Sequence, residues 1–146
     1  YEAAGPLKEM MDQKQIKLTI QRAVCEGQKA PADIRINADM QWTSEALINI
    51  LKDCLEHTPD QGTIQIEYGQ NPIYTQILIE DGGCGFSKKD LPHLFDRFYR
   101  GEHAAKDSAG IGLALSRLIL EAQNGHVHAE NSPAGHARFI IRFYKD

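Results

Sequence analysis

Two glycine clusters on either side of one short amphipathic segment constrain this chain more than any other feature. The first is Asp81-Gly82-Gly83-Cys84-Gly85, and the second is Ser108-Ala109-Gly110-Ile111-Gly112-Leu113. Half of the twelve glycines lie between Gly82 and Gly112. Glycine loses more conformational entropy on folding than any other residue and buries no side chain. Such clustering therefore implies backbone that must approach something closely, or a loop that must move. An acidic residue opens the first cluster and a helical pattern follows the second. That combination points to a nucleotide site with a mobile lid.

A chain of 146 residues can bury the core of one domain. Its net charge of −4 argues against a general nucleic-acid binder, so an anionic ligand would be held by local basic groups and helix ends. Three cysteines, Cys25, Cys54 and Cys84, are odd in number and lack metal-ligand spacing. They form no disulfide framework, which favours a reducing compartment, and Cys54 falls on an apolar helix face as a small hydrophobe. No apolar run approaches membrane-spanning length and no signal-peptide pattern is visible, so no direct membrane contact is expected of this stretch.

Periodicity places the elements. Residues 6–14 read as a short helix with Pro6 at its start. Ile16, Leu18 and Ile20 alternate with polar residues as a half-buried strand, and Ile34 and Ile36 suggest another after a loop at 26–32. Residues 43–57 carry the strongest helical pattern, with Leu47, Ile50, Leu51, Cys54 and Leu55 on one face and Ser44 or Thr43 as cap. Strands follow at 63–68 and 74–80, then a helix at 88–98 with Leu91, Leu94, Phe95 and Phe98 on one side. Residues 99–109 read as a flexible loop. A helix at 110–123 is expected to bury Ile111, Leu115, Leu118, Ile119 and Ala122 and to end on Gly125 as its cap. Strands at 126–131 and 137–143 finish the chain. Clean alternation in the strands predicts an α+β fold: a two-layer α/β sandwich whose mostly antiparallel mixed sheet is covered on one face by helices.

Opposite the apolar stripe of helix 43–57, Glu45, Asn49 and Asp53 are spaced i, i+4, i+8 and form a row. Such a row reads either as a solvated face or as hard oxygen ligands for Mg²⁺. Asp81, at the end of a strand, either caps a turn or accepts a hydrogen bond from an exocyclic amine. Gly110 and Gly112 open a helix whose free N–H groups favour phosphate, or else they permit tight packing. Arg97, Arg100 and Lys106 lie between the clusters. There is no Gly-Lys-Ser/Thr loop, no strand–GxGxxG–helix unit, no His-Arg-Asp or Asp-Phe-Gly, and no Gly-x-Ser-x-Gly elbow. His126 and His128 share a strand face without a third ligand.

Taken in order, these stretches resemble the catalytic, ATP-binding domain of bacterial sensor histidine kinases, relatives of the gyrase B, Hsp90 and MutL ATPase domains. Glu45 through Pro59 resembles the family's N box, and Asp81-Gly-Gly83-Cys-Gly85-Phe86 its G1 box. Leu94 through Gly101 resembles the F box, and Ser108-Ala-Gly110-Ile111-Gly112-Leu113 the G2 box. The resemblance covers residues 39–143. It implies the Bergerat sandwich as one ATP-binding domain over 1–146, with 1–38 as an N-terminal helix and strand hairpin and an ATP lid over about 87–109.

By that resemblance the cofactors are ATP and Mg²⁺. Asp81 accepts from the adenine amino group, Asn49 and Asp53 face the phosphates and the metal, and His57 lies beside the nucleotide. Gly83, Gly85, Phe86, Gly110, Ile111, Gly112 and Leu113 belong to the nucleotide-binding boxes. Arg97 or Arg100 offsets phosphoryl charge, Glu45 holds the position of the general base in the gyrase-like relatives, and Phe95 and Phe98 dock the lid. The implied activity is a protein histidine kinase that donates the ATP γ-phosphoryl group to a histidine on a separate dimerisation domain, with a response regulator downstream. The implied setting is the cytoplasmic, soluble part of a membrane-anchored bacterial kinase. An anti-sigma-type serine kinase or binding module, or a degenerate domain acting by protein contact, are the alternatives.

Some positions depart from the family pattern. Asp53 stands where Asn is usual, Glu56 where Lys is frequent, Gly82 where Asn is common, and Ser108 where the G2 box begins with Gly. None of the six histidines has the context of a phosphoacceptor, so the chain alone is expected not to phosphorylate itself.

Overall fold

The computed structural model describes residues 7–22, 39–98 and 112–145. In chain order these form helix α1 (Lys8–Lys14), strand β1 (Lys17–Arg22), helix α2 (Met40–His57), strands β2 (Thr63–Gln70) and β3 (Tyr74–Glu80), helix α3 (Gly112–Glu121), and strands β4 (Gly125–Asn131) and β5 (Ala137–Tyr144). The strand expected near Ile34 and Ile36 and the loop at 99–109 lie outside the described residues.

The five strands lie in the order β1-β2-β3-β5-β4. β1 runs parallel to β2, and every other pair is antiparallel. A parallel pair cannot be closed by a tight turn, and α2 lies in the long connection between β1 and β2. Ile64, Ile79, Val127, Phe139, Ile141 and Phe143 bury one face of the sheet beneath Ala46, Ile50, Leu51, Cys54 and Leu55 of α2 and Ile119 and Leu120 of α3. The other face is polar: Glu80 and Glu130 meet Arg138 there, and Arg142 lies over the Tyr74 ring and donates to Gln76. The α+β sandwich follows directly from this alternation.

Several local expectations are corrected. α2 begins at Met40, not at residue 43, and its cap is Asp39, whose Oδ1 accepts the Trp42 N–H at 3.0 Å. Thr43 is instead buried and bonds the side chain of Gln123. Residues 88–98 are not a helix but turns around a 3-10 segment, Leu91–His93, because Pro92 lacks the N–H that α-helical pairing requires. Phe95 still packs edge-on against Phe139, but Phe98 is 62% exposed with φ of +66° and does not dock.

α3 spans Gly112–Glu121 and buries Ser116, Ile119 and Leu120. Leu115, Leu118 and Ala122 face outward, and Ile111 lies outside the described residues. The reason is Ser116. Its hydroxyl lies 3.0 Å from the Ala46 carbonyl oxygen, so a small satisfied polar group holds the α2–α3 contact and turns the leucines away. The residue after α3 with left-handed backbone is Asn124 (φ +60°), not Gly125. Gly125 is already in β4, where a side chain would meet the Leu120 carbonyl oxygen at 2.7 Å.

This placement predicts opposite outcomes for two large apolar residues. Phe139, fully buried beneath Phe86 and Phe95, should cost about 3–5 kcal/mol as Phe139→Ala. Leu118, at 65% exposure, should cost under about 0.5 kcal/mol as Leu118→Ala. Urea unfolding measures both, and comparable losses would contradict the assigned face of α3.

Candidate functional site

The outer face of α2 presents Glu45, Asn49, Asp53 and Glu56, with His57 at its last turn. Glu45 is exposed, while Asn49, Asp53, Glu56 and His57 are half-buried. The His57 Nδ1 lies 2.7 Å from the Asp53 carbonyl oxygen and 3.6 Å from its Oδ2. Burial chiefly, then the charges of Glu56 and Asp81, push the Asp53 carboxyl up to about 6, against the opposing pull of His57. The end of α2 is closed by Lys14 of α1, whose Nζ donates to the Leu55 and Thr58 carbonyl oxygens at 2.6 Å each.

Facing this end of α2 is the loop that leaves β3. Asp81 is buried, at 3% exposure. Its N–H donates to the Ala137 carbonyl at 2.9 Å, and its Oδ1 accepts the N–H groups of Gly83 at 2.9 Å and Ala137 at 3.3 Å. Burial raises its carboxyl, and these two N–H groups with His57 and His136 oppose the shift. Among the described residues no hydrogen bond reaches Oδ2. The turn-capping and ligand-accepting readings of Asp81 are thus compatible, one oxygen serving each.

The first glycine cluster is required by packing. A Cβ on Gly83 would stand 2.5 Å from the His57 carbonyl oxygen. Gly85 has φ of +82°, and a Cβ there would meet the Gly135 carbonyl oxygen at 2.6 Å. The loop therefore lies directly on the end of α2 and on the β4–β5 turn. Between α2 and the loop runs a groove of about 570 Å³, lined by Lys14, Glu56, His57, Gly82, Gly83 and Cys84 among others. Gly112 differs, because a Cβ there would touch only Asn49, at an ordinary 3.8 Å. Among the described residues, packing does not demand glycine at position 112.

The fold therefore sets Gly83 on His57 at the end of α2, with Asp81 close enough to Asp53 to raise its carboxyl. It brings Gly112 to Asn49 at the middle of the helix, while Gly85 lies on the β4–β5 turn. Phe86 stacks edge-on against Phe139, and Leu113 turns its side chain to the core. Arg97 is exposed, its guanidinium 5.3 Å from the Phe98 ring centre, and among the described residues it makes no ion pair with the acidic groups. Arg100, Lys106, Gly110 and Ile111 lie outside the described residues. His126 and His128 are exposed on the polar sheet face with ring centres 6.1 Å apart, and no metal-binding cluster of His, Cys, Asp and Glu occurs among the described residues. Cys54 is fully buried, and burial pushes its thiol up.

Three participants were not anticipated. Lys14 closes α2, His136 donates from Nδ1 to the Gly83 carbonyl at 2.7 Å, and Asn131 pairs with the Phe86 backbone. Each contact spans at least 41 positions, and neither periodicity nor local motif signals such a pairing.

Residues 38–146 match the family described as Histidine kinase-, DNA gyrase B-, and HSP90-like ATPase. The signal transduction histidine-protein kinase BaeS of Escherichia coli (strain K12) is 31% identical over 136 residues, which is 91% of this chain and 27% of that protein. The chain spans about a quarter of the length of the curated relatives it matches. In fold it resembles the mycobacterial sensor histidine kinase MprB, with a TM-score of 0.81 at 18% identity over 98% of this chain and 93% of that one. Histidine kinase ThkA in complex with response regulator protein TrrA gives a TM-score of 0.77 at 20% identity, covering 99% of this chain and 39% of that one.

The raised carboxyl of Asp53 has a definite sign for stability. The native state keeps a proton that the unfolded chain, with an ordinary carboxyl of 3.8, has already released. Stability from this group is therefore lost as pH rises from about 4 to about 6 and stays lost above. Relative to the unsubstituted chain, Asp53→Asn should gain about 1–3 kcal/mol between pH 4 and pH 7.5, read by urea unfolding at both values. A gain that is independent of pH would contradict the burial of Asp53.

Proposed function

From the premise that this chain belongs to the histidine kinase-, DNA gyrase B- and HSP90-like ATPase family, an ATP-binding one, we propose that the site between α2 and the 81–86 loop holds Mg²⁺–ATP for phosphoryl transfer to a histidine on a separate dimerisation domain. The observation that carries this reading is Asp81. A carboxylate at 3% exposure has one oxygen met by two backbone N–H groups and the other left without a partner among the described residues. It adjoins Gly82 and Gly83, which line the groove. A carboxylate oxygen left without a protein partner in this way suits an N–H donor such as an exocyclic amine.

The residues present also fit the rest of the ligand. Asn49 and Asp53, one helical turn apart, offer hard oxygens of the kind Mg²⁺ takes. The carboxyl of Asp53, raised toward neutrality by burial and by Glu56 and Asp81, gains most from a cation. Gly112 sets α3 beside Asn49 with no side chain of its own, so backbone N–H groups there can meet phosphate oxygens. His57 lines the groove beside Gly82 and Gly83. ATP, when bound, supplies the γ-phosphoryl group, and the chain's part is positioning and charge neutralisation. Arg97, exposed and without an ion pair to the acidic groups among the described residues, is available to move onto the phosphates, and Arg100 is the second candidate for that role. Glu45 lies one turn from Asn49 on the exposed face of α2, and slow hydrolysis is expected of it.

The relatives named are sensor kinases, so the serine-kinase alternative is not favoured. The phosphoacceptor domain and a response regulator are the partners this reading requires, in line with ThkA and its response regulator TrrA. No helix among the described residues is long and apolar enough to cross a membrane. We place the domain on the cytoplasmic side of a membrane-anchored kinase.

Asp81→Asn tests the reading, because it replaces the unpartnered oxygen with a donor while keeping shape. Calorimetry with Mg²⁺–ATP should show affinity falling about 10- to 100-fold. Unchanged affinity would exclude Asp81 as the base-recognising group.

A further inference from the structure

The β4–β5 turn carries two side chains that the nucleotide reading leaves without a role. Asn131 ends β4 and meets Phe86. Its Oδ1 accepts the Phe86 N–H at 2.7 Å, and its Nδ2 donates to the Phe86 carbonyl at 2.9 Å. One side-chain amide thus serves Phe86 as a rung of neighbouring strand would. Across the turn, His136 Nδ1 lies 2.7 Å from the Gly83 carbonyl oxygen. A carbonyl only accepts, so Nδ1 carries the proton.

The turn presenting these groups is itself tied. Ser132 N–H donates to the His136 carbonyl at 2.7 Å, and Gly135 N–H donates to the Ser132 carbonyl at 2.8 Å. The loop from Gly83 to Phe86 is therefore held at both ends by one hydrogen-bonded turn, with Gly85 pressed against it. His136 fixes the peptide that follows Gly83, whose own N–H reaches Asp81 Oδ1. Asn131 fixes the backbone of Phe86, at which the loop passes on to residues 87–98.

We propose that Asn131 and His136 are positioning residues for the nucleotide site. By holding Gly83–Phe86 from both ends, they keep the free oxygen of Asp81 directed to ligand and set the root of the segment that follows. This rests on the ATP reading above. Neither residue touches the nucleotide. The Phe86 ring already packs on Phe139, so the polar bonds add orientation more than burial. Asn131 is exposed, and water competes for its bonds, so their loss should change loop geometry more than global stability.

The test is Mg²⁺–ATP affinity of the full chain by calorimetry, beside Tm, in four variants. Asn131→Asp keeps the acceptor but turns an acceptor toward the Phe86 carbonyl. His136→Ala removes the donor, and His136→Asn keeps one near the Nδ1 position. Val127→Ala, buried in β4, lowers stability away from the loop. Asn131→Asp and His136→Ala should each bind about five- to tenfold more weakly, with His136→Asn within about twofold of the unsubstituted chain. Val127→Ala should lower Tm at least as far with affinity unchanged. Unsubstituted affinity in Asn131→Asp and His136→Ala overturns the proposal. So does a loss in His136→Asn equal to that in His136→Ala, or an affinity loss in Val127→Ala that matches theirs at the same fall in Tm. Failure of the unsubstituted chain to bind Mg²⁺–ATP is a different result, which refutes the ATP reading and this inference with it.

Discussion

Burying a carboxylate is costly unless donors meet it, and one oxygen of Asp81 finds two in the backbone around it. The Ala137 N–H that reaches Oδ1 comes from the start of β5, the strand at the centre of the core. The Gly83 N–H comes from the loop itself, which can bend that way because no side chain stands between it and the end of α2. The carboxylate thus ties the exit of β3, the start of β5 and the loop into one unit. The remaining oxygen has no hydrogen-bond partner among the described residues, and Gly82 and Gly83 beside it line the groove against α2.

Charge then explains the composition of the site. Asp53, Glu56 and Asp81 crowd together, with His57 as the one opposing side chain among those that shift Asp53. A helix end adds further negative character, which Lys14 partly offsets by donating to two of its carbonyls. Such a cluster is costly in isolation and is relieved by a cation bridging it to phosphate. The Asp at position 53 therefore makes the proposed site more dependent on metal than an amide would.

The strands were legible because one face of the sheet is wet, and alternation of Ile64 with Gln65 or Val127 with His126 and His128 survives in a short window. α2 was legible in its middle but not at its start, because Trp42 is exposed and Asp39 lies before any apolar residue of the stripe. α3 was misphased because Ser116 occupies a core position that an apolar pattern cannot reveal; its hydroxyl is satisfied by a carbonyl on another helix. The segment at 88–98 followed helical spacing, but Pro92 turned it to 3-10 geometry. Asn49, Asp53, His57 and Asp81 could be named from motif order, yet the turn that holds their loop could not. Its bonds join residues 45 and 53 positions apart.

The central claim is that the outer end of α2 and the Asp81 loop form one adenine-nucleotide site. Amide resonances followed by NMR during titration with a non-hydrolysable ATP analogue and Mg²⁺ test it most directly. The account predicts shifts concentrated at Asn49, Asp53, His57, Asp81, Gly83 and Gly112, with the polar sheet face around His126 and His128 silent. Shifts confined to that sheet face, or none at saturating analogue, would contradict it.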